Sequence, residues 1–143
     1  RQSGTTASPI AITGLVNGTT YSVSLRAVSL VSDGTASTPV SATPASVPNA
    51  PTIGTATAIA GLSATVTWTA PANGGGPITG YTINAYRSGS TAVARTGTAL
   101  SSAVSGSISG LTSGTSYTFK VLAKNVIGSS ALSNASTAVI ALR

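Results

Sequence analysis

The fold is decided by a ten-residue motif, ISGLTSGTSY, at residues 108–117. A shift of 96 residues places this motif on ITGLVNGTTY at residues 12–21, where six of the ten positions are identical. The match continues without a gap as far as Ala42, which falls on Ala138. A fixed internal period indicates two copies of one structural unit. A period of 96 residues is the size of one β-sandwich domain.

The second copy has a front half that the first copy lacks. Residues 47–103 contain a proline-marked entry, an alternating strand, a glycine-rich loop and a second alternating strand, and none of these has a counterpart before Ser8. The sequence therefore predicts the C-terminal half of a domain at residues 1–44, a proline-rich linker at residues 45–51 and a complete domain at residues 52–143. A linker with this proline content is expected to be extended and semi-rigid.

The composition favours an all-β protein. Serine and threonine occupy 46 of 143 positions and alanine another 23, whereas charged residues make up 6% and aromatic residues 4%. The hydrophobic content of 41% is too high for a disordered chain. The chain also has few Leu, Glu, Lys and Arg residues, which helical proteins use abundantly. About seven short strands, separated by turns, are expected in the complete domain.

Alternation of apolar and polar residues defines the inner faces of these strands. Successive side chains of a strand point to opposite faces, so every second residue faces the core. The residues predicted to face inward are Ala64, Val66, Trp68, Tyr81, Ile83, Ala85, Tyr117, Phe119, Val121 and Ala123. Lys120 and Lys124 then lie on an outer face, and Tyr86 is the one outward-facing aromatic residue considered for binding. The NGGGP segment at residues 73–77 is predicted to be a flexible hairpin connection.

The residue inventory argues against catalysis. The chain has no His, Cys or Met, and Asp33 is its single carboxylate side chain. A paired-carboxylate hydrolase, a Ser-His-Asp relay, a thiolate nucleophile and a zinc or calcium cage each need residues that are missing. The sequence therefore predicts a protein that is not an enzyme, with no catalytic residues, no cofactor and no metal site.

The distribution of charged residues restricts the kinds of partner that the chain is expected to bind. The net charge is +6, but Arg1 and Arg143 are terminal and the other five cations are scattered along the chain. Proteins that bind nucleic acid carry their cationic residues in clusters on one surface, so no nucleic-acid partner is expected. No apolar run approaches the roughly 20 residues of a membrane span, so membrane insertion is not expected either. Because the sequence starts with Arg1, we expect a processed chain or a segment of a longer one. A hydroxyl-rich chain without Cys and Met favours an extracellular or cell-surface location.

Five short motifs together resemble a bacterial fibronectin type III domain. They are PNAP at residues 48–51, VTW at 66–68, ITGY at 78–81, GLTSGTSY at 110–117 and NVIG at 125–128. The resemblance covers the whole second domain, and in the first it is limited to residues 14–21. It implies an immunoglobulin-like β-sandwich in tandem modules, with Trp68 at the centre of the core. It also implies that Tyr117 and Tyr21 form tyrosine corners, in which the hydroxyl bonds to nearby backbone.

The resemblance implies a structural or interaction module. We expect tandem sandwiches of a larger secreted or cell-surface bacterial protein that build an adhesion stalk, a fibre or a sheath-like filament. Two alternatives are an accessory spacer in a secreted polysaccharide-degrading enzyme and a phage virion or tail decoration domain. The expected partners are neighbouring fibronectin type III modules of the same or an adjacent chain, further copies in a homopolymer, and polysaccharide or a cell surface.

The first half-domain has an apolar face that needs a cover. The residues expected to face inward are Ile10, Ile12, Leu15, Tyr21, Val23, Leu25 and Ala27. Exposing the large ones forfeits about 1.5 kcal/mol or more for each. Two completions are consistent with the sequence: the missing half precedes Arg1 in a longer chain, or a neighbouring subunit donates it.

Overall fold

A computed structural model of the chain describes residues 8–143. Residues 1–7 of the predicted half-domain lie outside the described residues. The chain divides into two compact units, the first ending at Ala45 and the second covering Ser46–Arg143.

The second unit is a β-sandwich of seven strands. They are β3 (Thr52–Ile59), β4 (Ser63–Thr69), β5 (Gly80–Arg87), β6 (Val93–Leu100), β7 (Ser105–Ile108), β8 (Ser116–Lys124) and β9 (Val139–Ile140), numbered after β1 (Tyr21–Val23) and β2 (Val40–Ala42) of the first unit. One sheet has the order β3-β4-β7 and the other β6-β5-β8-β9, and all pairs are antiparallel. The all-β, immunoglobulin-like prediction is confirmed.

The core of this unit is made by the residues that the alternation pattern predicts. All ten predicted inward-facing residues are buried, and Val66, Ile83 and Phe119 have no exposed surface. Trp68 is 4% exposed, and its ring lies 5.1 Å from that of Tyr81, centroid to centroid. Gly106 of β7 allows this close packing, because a Cβ atom there would lie 2.6 Å from the Cδ1 of Ile83 and 3.3 Å from the Trp68 ring.

The prediction of a hairpin at residues 73–77 is wrong. β4 and β5 belong to different sheets, so this segment crosses from one layer of the sandwich to the other. Its backbone is also held in place, since the amide of Gly75 donates to Oδ1 of Asn73 at 2.9 Å and the carbonyl of Gly74 accepts from the amide of Ser46 at 2.8 Å. A local sequence pattern identifies a turn, but it does not say which strands the turn connects.

Residues 129–138 pair with β8 through serine side chains. The amides of Ser130, Ser133 and Ser136 donate to β8 carbonyls, and their hydroxyl oxygens accept from the amides of Ala123, Val121 and Phe119 at 2.9–3.0 Å. Each serine hydroxyl donates in turn to the next residue's carbonyl at 2.8 Å. A three-residue period is that of polyproline II, not of a strand. We call this arrangement the serine ladder.

The first unit repeats the local structure of the second but not its burial. β1 pairs with β2, and the amide of Leu25 donates to the hydroxyl oxygen of Ser37 at 2.9 Å, as that of Val121 does to Ser133. However, Leu25 is 64% exposed and Val121 is fully covered. No residue in the range 8–45 is buried. The predicted inward face of this unit, Ile10 and Ile12 included, is therefore partly or fully exposed in residues 8–143.

Trp68 provides a test of the core. We expect its fluorescence emission to be blue-shifted in the native protein and to move to the red in denaturant, because its ring lies between the two sheets. Trp68→Ala should lower the free energy of unfolding by about 3–5 kcal/mol. Emission at the fully solvated wavelength in native buffer would contradict the assignment.

Candidate functional site

The described residues hold no metal-type cluster. No group of three His, Cys, Asp or Glu side chains comes together within residues 8–143. In that same range, no helix has both the length and the hydrophobicity that a membrane crossing requires. Three features of these residues bear on function: the tyrosine corners, the contacts of the linker and a groove on the outer sheet face.

Both predicted tyrosine corners are present. The hydroxyl of Tyr117 accepts from the amide of Thr112 at 3.1 Å, and that of Tyr21 accepts from the amide of Val16 at 3.0 Å. Burial raises the pKa of Tyr117, whereas the Thr112 hydrogen bonds and the guanidinium of Arg87 lower it. The lowering effects together are larger, so the pKa of Tyr117 lies below that of an ordinary tyrosine. These contacts make both tyrosines structural residues.

Asn125 joins three segments at one end of the second unit. Its Nδ2 donates to the carbonyls of Ser46 at 2.7 Å and Asn73 at 2.9 Å. Its Oδ1 accepts from the amides of Ile127 at 2.9 Å and Gly128 at 3.1 Å. The side chain thus uses both donors and both acceptor positions in a nearly buried site. We call Asn125 and the backbone groups that it binds the linker clasp.

The linker clasp is reinforced by backbone contacts. The amide of Asn49 donates to the carbonyl of Ala72 at 3.0 Å, and Pro48 and Pro51 are buried. Gly74, with φ of 72°, approaches so closely that a Cβ atom would contact the carbonyl oxygen of Ser46 and lie 2.6 Å from that of Val47. Residues 46–51 are therefore packed on the second unit. The NVIG motif contained Asn125, but nothing in the sequence indicated its contact with Ser46, 79 residues away.

A groove lies on the outer face of the four-stranded sheet. It is open to solvent, has a volume of about 340 Å³ and is lined by Tyr86, Ser90, Thr91, Thr118, Lys120, Leu132 and Ala135. Tyr86 and Lys120 project from the neighbouring strands β5 and β8, and the Lys120 ammonium lies 5.5 Å from the centre of the Tyr86 ring. This distance is within the range of a cation–π contact.

Tyr86 was expected on the surface, but it is 8% exposed. A register shift in the pairing of β5 with β6 lies between Ala85 and Tyr86. Lys120 lies over one part of the ring, and Leu132 and Ala135 of the serine-ladder segment line the same groove. The burial comes from residues distant in sequence, so alternation alone could not have predicted it. Tyr86 is a wall of the groove and not an open stacking platform.

Comparison with known proteins identifies the fold family. The family model for the fibronectin type III domain matches residues 49–139. The chain belongs to the fibronectin type III family.

Relatives of this fibronectin type III chain include a much longer protein. A Kelch domain-containing protein of Sulfurisphaera tokodaii is 38% identical over 122 residues, which are 85% of this chain and 16% of that protein. The chain thus spans only about a sixth of this relative.

Solved structures support the same fold. Domains A168–A170 from titin have a TM-score of 0.64 and 28% identity, over 73% of this chain and 36% of that one. The FN1–FN3 domains of chicken CNTN1 have a TM-score of 0.60 and 20% identity, over 90% of this chain and 44% of that one. The second similarity shows the fold alone.

The linker clasp gives a second prediction. Asn125→Ala should lower the free energy of unfolding by about 2–4 kcal/mol, because it leaves the carbonyl of Ser46 and neighbouring loop groups without their partner. The amide of Asn49 should exchange faster with solvent than in the unmodified chain. Asn134→Ala is the matched control, since Asn134 is exposed on the same unit. Equal stability of both variants in urea unfolding would contradict the role of the clasp.

The two tyrosine corners give a third testable prediction. Tyr117→Phe should cost about 1–3 kcal/mol in urea unfolding followed by Trp68 fluorescence, because the Thr112 amide loses its acceptor. Tyr21→Phe removes the same bond in the first unit and should leave the Trp68 transition unchanged. Identical transitions for both variants would show that the hydroxyl of Tyr117 contributes nothing to the second unit.

Proposed function

We propose that this chain is a non-catalytic structural and interaction module of a larger secreted or cell-surface protein, in which fibronectin type III sandwiches follow one another in tandem. In such a protein the modules build a stalk, fibre or sheath-like assembly. Membership of the family supports a structural or interaction role. The proposal includes an extracellular location, an adhesive role and a bacterial source. With respect to the source, the relative in Sulfurisphaera tokodaii is archaeal.

The observation that carries the tandem arrangement is the contrast between the two copies of the repeat. Ile108 is 2% exposed, whereas Ile12, at the equivalent position, is 46% exposed. In the second unit the β3-β4-β7 sheet packs on the inner face of β8. Residues 8–45 have the same tyrosine corner and the same Ser37 contact but no such sheet. We therefore propose that an equivalent sheet, from the same chain or a neighbouring one, covers the first unit.

The extent of the alignments supports a fibronectin type III origin for the first unit. The second unit has 98 residues, so at least 24 of the 122 residues matched in the Kelch domain-containing protein lie outside it. The CNTN1 match covers 90% of the chain and also extends beyond the second unit. Both matches are consistent with two successive modules.

A second candidate function is an accessory module beside a domain of another kind. The Kelch domain-containing relative favours it, because the chain accounts for only 16% of that protein. An accessory spacer of a polysaccharide-degrading enzyme belongs to this class. The phage virion or tail role has no comparable support.

Hydrogen exchange on the 143-residue protein tests the tandem proposal. The amides of Leu25 and Val121 each donate to a serine hydroxyl, so their hydrogen-bond partners are equivalent. The two positions differ in whether a second sheet packs over them. We expect the Leu25 amide to exchange at least about 100-fold faster than that of Val121, because local opening costs less where few apolar contacts hold a segment.

A fusion completes the test. Residues 46–103 of the second unit are copied ahead of Ser8, where the 96-residue period places their equivalent. This copy should cover the first unit and slow exchange at Leu25 by about tenfold or more. The control carries the same copy with Val66→Asp, which spoils its inner face. Protection of Leu25 equal to that of Val121 in the unmodified chain would overturn the proposal, as would a fusion no better than its control.

A further inference from the structure

We propose that the groove beside Tyr86 and Lys120 binds an anionic saccharide, with Lys120 as the residue that recognises its charge. The groove is part of the second unit alone, so this proposal does not depend on the tandem arrangement. It goes beyond a general role in polysaccharide contact by assigning the residues and the charge of the sugar.

The charge of the second unit favours an anionic ligand. Residues 46–143 contain Arg87, Arg95, Lys120, Lys124 and Arg143 and no Asp or Glu. No carboxylate side chain of this unit can therefore neutralise Lys120. The Lys120 ammonium lies over the Tyr86 ring in the groove lining, whereas Arg95 is already bound, since its Nε donates to the carbonyl of Gly110 at 2.8 Å. A partner carboxylate or sulfate would form a charge-assisted hydrogen bond with Lys120.

The remaining polar groups suit a sugar. The hydroxyls of Ser90, Thr91 and Thr118 line the groove. The hydroxyl oxygen of Ser90 accepts from the amide of Ala92 at 3.1 Å, which leaves its own proton to donate. Hydroxyls both donate and accept, and so do those of a sugar. The groove is open to solvent, and its volume of about 340 Å³ leaves room for a sugar ring.

The position of the groove disfavours an extended peptide. Peptides that add to a sheet bind by main-chain hydrogen bonds at an open strand edge. β5 is paired with β6 and β8 on its two sides, and β8 is paired with β5, the serine ladder and β9. The groove therefore offers side chains and no free strand backbone. An acidic peptide becomes an outcome of the test.

The experiment is an amide-shift titration of the ¹⁵N-labelled 143-residue protein. The probes are trigalacturonate, a sulfated trisaccharide, a neutral trisaccharide of similar size and hexaglutamate, at an ionic strength of about 20 mM where screening is weak. We expect saturable shifts at the groove residues with the two anionic saccharides, which distinguish carboxylate from sulfate, and weak or no shifts with the other two probes. Binding should weaken by about tenfold at 0.5 M salt.

Two charge variants separate recognition from general attraction. Lys120→Gln should weaken binding of the anionic saccharide by about tenfold, because it removes the charge at the groove. Lys124→Gln removes the same charge from the same strand outside the groove lining and should change binding by less than about twofold. Thr118→Val keeps the side-chain shape and should weaken binding by about threefold. The amide spectrum of each variant reports its folding, and Thr118→Val replaces Lys120→Gln if the latter is unfolded.

Three results would overturn the proposal. One is the absence of saturable shifts at the groove with both anionic saccharides. Another is an equal response to hexaglutamate, which would assign the groove to acidic chains in general. The third is equal weakening by Lys120→Gln and Lys124→Gln, which would attribute the binding to net charge.

Discussion

The second unit depends on the hydrogen bonds that strand β8 makes along both of its edges. Its two faces differ, because one lies in the core and the other lies on the outer surface of the sheet. On one edge β5 supplies a regular antiparallel ladder. On the other, the serine ladder of residues 129–138 supplies both donors and acceptors, so the buried amides of Phe119, Val121 and Ala123 are paired. An unpaired buried amide costs about 1–3 kcal/mol. Because both edges are satisfied, the inner face can form the core and the outer face can carry Lys120.

The two copies of the repeat show what a local motif determines. Each copy forms its tyrosine corner and its serine contact with nearly the same geometry, because the groups involved are at most 12 residues apart. Burial follows another rule, since the side chains of β8 are covered by β3, β4 and β7, which come from earlier in the chain. The same local sequence therefore gives a covered face in one copy and an exposed one in the other. Comparison of the two copies therefore shows that the local conformation forms from the local sequence, whereas the burial of its side chains requires the rest of the domain.

Much of the second unit could be predicted from its sequence, and the failures have a common cause. Period-two alternation identified the inner faces, including Trp68 and Phe119, because a strand's geometry is fixed by its own backbone. The crossing at residues 73–77, the burial of Tyr86 and the reach of Asn125 depend on segments far away in sequence. The spacing of Ser130, Ser133 and Ser136 was visible in the sequence, but its period of three belongs to neither a helix nor a strand. The groove could not be found before the strands were placed beside one another.

The serine ladder also has a consequence for solubility. An ordinary edge strand presents free amides and carbonyls every second residue, and a strand of another molecule can extend the sheet by pairing with them. Residues 129–138 contact β8 every third residue, so their outward backbone groups do not match the repeat of an incoming strand. The mismatch in period protects this edge of the sheet against intermolecular strand addition by geometry, where other proteins use a lysine or a proline.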